Sequence, residues 1–143
     1  MALATGFESD EDSTGLLLWR VTNSWQAAQR LALKPFELTH VQFVLLAALT
    51  WLDAPVTQRE LADYAHTDPM MTSQVLRVLE RGGLVERRPH PADGRAKLLA
   101  TTAAGRELAN RAVVAVEACD ARFFASLGAD RAAFTSALAT LSA

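Results

Sequence analysis

The sequence predicts a mainly α-helical fold with one small β-hairpin: a helix-turn-helix followed by a hairpin wing, flanked by helices at both ends. Three observations predict it. Two short helical segments between Thr57 and Arg81 each begin at a capping signal, with only a few residues between them. Two strand-like runs then enclose a loop holding two prolines and a glycine. Long segments before and after repeat apolar residues at intervals of three and four, the helical period.

The chain has 143 residues, half of them apolar, enough for one domain or for one small domain with dimerisation arms. No run of eighteen apolar residues occurs, and residues 1–8 lack a basic flank before an apolar stretch. Neither a membrane span nor a signal peptide is expected, and a cytoplasmic protein is. The single cysteine, Cys119, rules out an intrachain disulfide and a cysteine-based zinc cluster within one subunit.

The first helix is expected from Gly15 to about Leu33, within an N-terminal dimerisation segment 14–34. Leu18, Val21, Trp25, Ala28 and Leu31 or Ala32 form one stripe that should be buried, and Leu16, Leu17 and Trp19 widen it. A helix apolar over so much of its circumference needs more than one neighbour, which suggests cover from a second subunit. Lys34-Pro35 ends it. Residues 38–101 then form the helix-turn-helix and wing. Thr39 caps a helix from His40 to Leu52 with Val41, Val44, Leu45, Ala48 and Trp51 or Leu52 inward, and Asp53-Ala54-Pro55 breaks it.

Val56 suits an isolated strand residue. Thr57 has Glu60 three positions on, a capping box for a short helix from Gln58 to Tyr64 or Ala65. Asp68-Pro69 opens the next helix: aspartate caps it, and proline sits where its missing N–H costs nothing. That helix, to about Arg81, puts Thr72, Val75, Leu76 and Leu79 on one face and leaves Met70, Met71, Ser73, Gln74, Arg77 and Arg81 largely outward. Gly82-Gly83 supplies a permissive C-terminus. Strands follow at 84–88 and 96–100, around a stiff projecting loop with Pro89, Pro91 and Gly94. From Thr102 onward, 102–143 is a C-terminal dimerisation segment: a long helix to about Phe124 with Leu108, Ala112, Val113, Val116, Cys119, Phe123 and Phe124 on a broad apolar face, then a last helix from Asp130 to Leu141.

The net charge of −2 hides an uneven distribution. Residues 8–12 carry four acids and no base, whereas 77–97 carry Arg77, Arg81, Arg87, Arg88, Arg95 and Lys97 against Glu80, Glu86 and Asp93. A solvated charged face would account for such a cluster taken alone; beside a helix-turn-helix it points to DNA. The second helix of such a pair lays its N-terminal end in the major groove, which calls for outward residues able to bond base edges. Ser73, Gln74 and Arg77 meet that need, since glutamine pairs with adenine and arginine with guanine. Met70 and Met71 either pack on thymine methyls or form a core or interface pair. Thr57 and Gln58 suit phosphate contacts that position without specifying. Arg95, on the wing loop, is the minor-groove candidate, with Arg88 adding to the basic wing. Asp93 either orients Arg95 or another arginine through a charge-assisted bond, the preferred role, or bonds its own backbone as a turn aspartate.

Residues 41–46, 57–62, 76–85, 90–95 and Thr102-Ala103-Ala104-Gly105 together resemble the MarR family of multiple-antibiotic-resistance regulators, over roughly 14–141 and in the family's order. The resemblance implies a winged helix-turn-helix transcription regulator that dimerises through the first and last two helices. It also implies binding to a pseudo-palindromic double-stranded operator as a homodimer, with repression the commoner outcome and frequent release by a small ligand or an oxidant. Two departures stand out. The wing carries Asp-Gly-Arg, leaving Arg95 alone for the minor groove, and Met70-Met71 stand where small hydroxylic residues are frequent. The oxidant-sensing cysteine near the start of the first helix is missing, and Cys119 reads as a buried structural thiol.

A pocket for a small aromatic effector would lie where the first, second and fifth helices meet the DNA reader, with Trp19, Trp25, His40, Phe43 and Trp51 near it. Plain core is the other role open to each of these aromatics. His40, at a helix start, is a candidate for a carboxylate or phenolate. Nothing between Thr57 and Arg95 reads as a sensor, so any signal is expected through the pairing helices. Catalysis is not expected: His40, His66 and His90 fall on unrelated elements, and no nucleophile motif, phosphate loop, metal-spaced pair or cofactor motif occurs. The alternative function is a winged helix used only for protein contacts.

Overall fold

The computed structural model describes residues 2–143. In chain order the elements are α1 (Thr14–Leu33), α2 (His40–Leu52), α3 (Gln58–Ala65), α4 (Pro69–Arg81), β1 (Val85–Pro89), β2 (Lys97–Thr101), α5 (Ala103–Phe123) and α6 (Arg131–Leu141). Short 3-10 turns occupy Asp10–Asp12, Lys34–Phe36 and Ala125–Asp130. No single helix is long and apolar enough to cross a membrane among the described residues.

Local chemistry sets most boundaries. Thr39 and Thr57 both close capping boxes, with Gln42 and Glu60, and Asp68 accepts the Met71 N–H to start α4 behind Pro69. At its other end α4 closes in a Schellman arrangement: the Leu84 N–H reaches the Leu79 carbonyl and the Gly83 N–H that of Glu80, both at 3.0 Å. Gly83 takes a φ of 73°, the left-handed backbone this motif requires. Leu84 is thereby committed to the helix end, and the strand starts one residue later than its apolar pattern suggests.

The wing is antiparallel, with Val85 opposite Thr101 and Pro89 opposite Lys97. Val56 adds the isolated bridge expected of it, to Leu99. The core gathers around α2, whose Phe43, Leu45, Leu46, Ala48 and Leu49 are buried. Leu61 from α3, Leu76 and Leu79 from α4, Val85 and Leu99 from the wing, and Ala109, Ala112 and Val116 from α5 close on it. Of the alternatives Trp51 and Leu52, Leu52 is half-buried and Trp51 stands in solvent.

One close approach locks the wing to α5. A β carbon at Gly105 would lie 2.0 Å from the Leu84 carbonyl oxygen, so only glycine fits. The same joint is laced by Thr102: its N–H donates to Leu84 O at 3.1 Å, its hydroxyl to Gly83 O at 2.6 Å, and it accepts from the Gly105 N–H at 3.0 Å.

Within the single chain, the terminal helices leave much of their apolar surface uncovered. In α1, Leu18, Val21 and Leu31 are exposed, and the turned-in positions are Gln29 and Leu33, with Trp25, Ala28 and Ala32 half-buried. A polar residue takes the centre of that face because α5 supplies its partner, Asp120. α6 buries none of its residues, although Phe134 packs on Phe124 at 5.8 Å. On α5, Gly105, Ala109, Ala112, Val116 and Cys119 face inward.

Candidate nucleic-acid interface

The turn between α3 and α4 is stitched by hydroxyls. His66 ends α3 with a left-handed φ of 53°, and the Thr67 N–H reaches back to Ala62 O at 3.0 Å. Thr72 is fully buried: its hydroxyl donates to Asp68 O at 2.7 Å and lies 2.7 Å from that of Thr67. These bonds fix α4 against α3 while spending no outward side chain. Met70, Gln74, Arg77, Val78 and Arg81 make an exposed row along α4, and Ser73 is half-buried at its border. Thr57 is half-buried with its oxygen already accepting from the Glu60 N–H, and Gln58 sits half-buried on the first turn of α3.

Among the described residues, ion pairs join Arg20 to Asp10, Arg87 to Glu80, Arg88 to Glu86 and Arg106 to Asp53. Arg77, Arg81 and Arg95 take part in none of them. The six-cation cluster is therefore divided. Arg87 is a strut to α4, and Arg88 bonds Glu86 through Nε at 2.9 Å on the opposite face of the hairpin, where it borders a small cleft with Asp53 and Arg106. Arg95 is exposed at the wing tip.

Asp93 resolves between its two roles. Its Oδ1 accepts from the backbone N–H of Arg95 at 3.0 Å, the turn-aspartate bond, while the carboxylate pairs with no guanidinium. The preferred charge-assisted contact is not formed among the described residues, and the local backbone bond is the one the turn geometry makes. Beside it the His90 ring nitrogen Nδ1 accepts from the N–H groups of Ala92 and Asp93, at 3.0 and 3.1 Å. Nothing in the spacing of the sequence marked His90 as part of the wing's architecture.

The five aromatic candidates do not converge. Trp25 and His40 meet edge to face with ring centres 5.0 Å apart and line a cleft of about 490 Å³ together with Arg30, Thr39, Val44 and Met71. Phe43 is buried in the core instead, Trp19 projects from α1, and Trp51 stands over a separate cleft between α2 and α5 beside Asn110 and Glu117. Trp25 is fixed by its indole N–H, which donates to Asp120 Oδ1 at 2.8 Å; the Gln29 amide donates to the same oxygen at 2.7 Å. The Gln29 carbonyl oxygen is buried without a hydrogen-bond partner among the described residues. Burial holds the His40 pKa below its usual value, Arg30 adds to that shift, and Asp120 opposes it. The cleft also borders the reader, through Thr67 and Met71. Cys119 is buried, as its place on the apolar face suggested.

Comparison with known proteins bears on the whole arrangement. The family model described as "MarR family" matches residues 38–97. The transcriptional regulator YdcH of Bacillus subtilis is 44% identical over 123 residues, 84% of each chain. The transcriptional repressor Rv2887 of Mycobacterium tuberculosis is 38% identical over 85% of this chain and 86% of its own. Its structure in complex with salicylic acid superposes with a TM-score of 0.73 at 36% identity, covering 92% of this chain and 98% of that one. The repressor CouR bound to a 23-mer DNA duplex superposes with a TM-score of 0.85 at 29% identity over the full length of both chains. With its capped helix-turn-helix, two-stranded wing and helical ends, the chain belongs to the MarR family of helix-turn-helix transcriptional regulators.

Proposed function

We propose that two copies of this chain bind a pseudo-palindromic DNA operator and repress transcription, and that a small aromatic acid in the Trp25–His40 cleft releases them. The observation that carries the DNA reading is the outward row of α4. Gln74, Arg77 and Arg81 are exposed and uncommitted there, and Arg95 projects from the adjoining wing. Ser73, Gln74 and Arg77 read the major groove, Met70 packs beside them, Thr57 and Gln58 hold phosphate, and Arg95 enters the minor groove. Relatives described as repressors, and one seen on a DNA duplex, support this reading.

One recognition helix gives little specificity, and a two-fold pair reads half-sites about one helical turn apart. The exposed apolar residues of the terminal helices, Leu18 and Val21 on α1 with Leu138 and Leu141 on α6, supply the surface for that pairing. For the effector, Arg30 and His40 offer positive or hydrogen-bonding groups at one side of an apolar cleft, a match to an aromatic carboxylate; the salicylic acid complex of Rv2887 favours that class. The test is a gel shift with DNA flanking the chain's own gene. Gln74→Ala and Arg77→Ala should each cost about 1–3 kcal/mol, and salicylate should weaken the wild-type complex. Unchanged binding by both variants, or a stable monomer in sedimentation at micromolar concentration, would overturn the proposal.

A further inference from the structure

We propose that His90 is the positioning residue that aims Arg95, its ring nitrogen standing where an asparagine side chain would cap the wing turn. The inference rests on the reading of Arg95 as a DNA contact and adds the device that holds it. His90 lies between Pro89 and Pro91, so its own φ neighbourhood is stiff, and the first donors beyond Pro91 are the N–H groups of Ala92 and Asp93. Both point at Nδ1, at 3.0 and 3.1 Å.

Both bonds use Nδ1 as their acceptor, which leaves Nε2 as the ring's donor. This is the bonding pattern of an Asx turn, supplied by an imidazole. The bonds continue to the arginine. Asp93 Oδ1 takes the Arg95 N–H at 3.0 Å, Asp93 O takes the Ala96 N–H at 3.2 Å, and Ala96 O takes the His90 N–H at 3.4 Å. The loop from 90 to 96 is thus a closed circuit with Arg95 at its outer end.

The experiment uses the full-length chain and a duplex selected by the wild-type protein from a random-sequence DNA pool. The affinity penalty of Arg95→Ala is measured in the wild-type, His90→Asn and His90→Ala backgrounds. The penalty is expected to be about tenfold in the wild type and in His90→Asn, whose amide oxygen can accept the same two N–H groups, and to be largely lost in His90→Ala. A His90→Ala, Arg95→Ala double variant should bind no more weakly than Arg95→Ala alone. Additive losses in the double variant, or a penalty lost in His90→Asn as fully as in His90→Ala, overturn the role of His90 and leave the DNA contact standing. Absence of any Arg95→Ala penalty overturns both.

Discussion

Arg87 Nε donates to Glu80 Oε2 at 2.8 Å, and this ion pair ties the last turn of α4 to the first strand of the wing. Both side chains are only 29% exposed, so solvent screens the pair less than it does the Arg20–Asp10 bridge, whose partners are 52% and 60% exposed. A double-mutant cycle of Glu80→Gln and Arg87→Gln should give a coupling of about 1 kcal/mol in urea unfolding. Because Arg87 is spoken for, its removal should leave the salt dependence of DNA binding nearly unchanged, whereas Arg95→Ala should lower the slope by about one unit. Equal slope changes for the two arginines would count against this division of labour.

Gly105→Ala should be among the most damaging single-methyl additions to the chain. The new carbon would meet the Leu84 carbonyl oxygen at 2.0 Å, and backbone cannot swing aside as a side-chain tip can. A loss of about 2–3 kcal/mol in unfolding free energy is expected. Gly94→Ala, with nothing within 4 Å, serves as the control and should change stability little. Comparable melting curves for both variants would show the contact to be unimportant.

Asp120→Ala removes the acceptor shared by Trp25 and Gln29. Gln29 is fully buried and already has one amide atom without a partner, so the variant leaves its NH₂ group unpaired too. The expected cost is about 1–3 kcal/mol, with a change in Trp25 emission as its indole N–H is released. Unaltered stability and fluorescence would argue that the carboxylate adds nothing here.

His40 gives a signed pH dependence. Burial and Arg30 hold its pKa below 6.5, so as pH falls through 6.5 the unfolded chain takes up the proton before the folded one does. The native state therefore loses stability on the acid side of that value, and His40→Gln should show a smaller loss between pH 7.5 and pH 5.5. A bound carboxylate would reverse the sign locally by favouring the imidazolium, so salicylate should bind more tightly at pH 6 than at pH 8. Thermal melts and fluorescence titrations check the two statements separately.

Local signals were readable wherever a few neighbouring residues decide the outcome. Thr39, Thr57, Asp68 and Thr102 all cap the helices their spacing suggested, since a cap needs only the next two or three N–H groups. The face of α4 followed from its period for the same reason. What escaped were pairings across the chain. Gln29 sits at the centre of the α1 contact through an aspartate 91 residues away, and helical period alone marks it as polar and outward. Trp19 and Trp51 share a residue type with Trp25 but point to other surroundings, because the period assigns a face and not the neighbour opposite. Met71 is exposed like Met70, yet it also borders the Trp25–His40 cleft, a neighbourhood its period does not specify. Asp93 had two chemically sound partners, and only the turn geometry chose the backbone one.

The missing β carbon at Gly105 has a mechanical meaning. Elsewhere in the fold, side chains lie between one element and the next and can yield by changing rotamer. Between α5 and the wing there is no such cushion: bare helix backbone rests on a bare carbonyl, and Thr102 clamps the joint from the side. The 21 residues of α5 form a rod about 30 Å long, with the terminal helices at one end and the wing at the other. A tilt of that rod therefore bears on the start of the wing, at Leu84, through backbone and not through side chains that could absorb it.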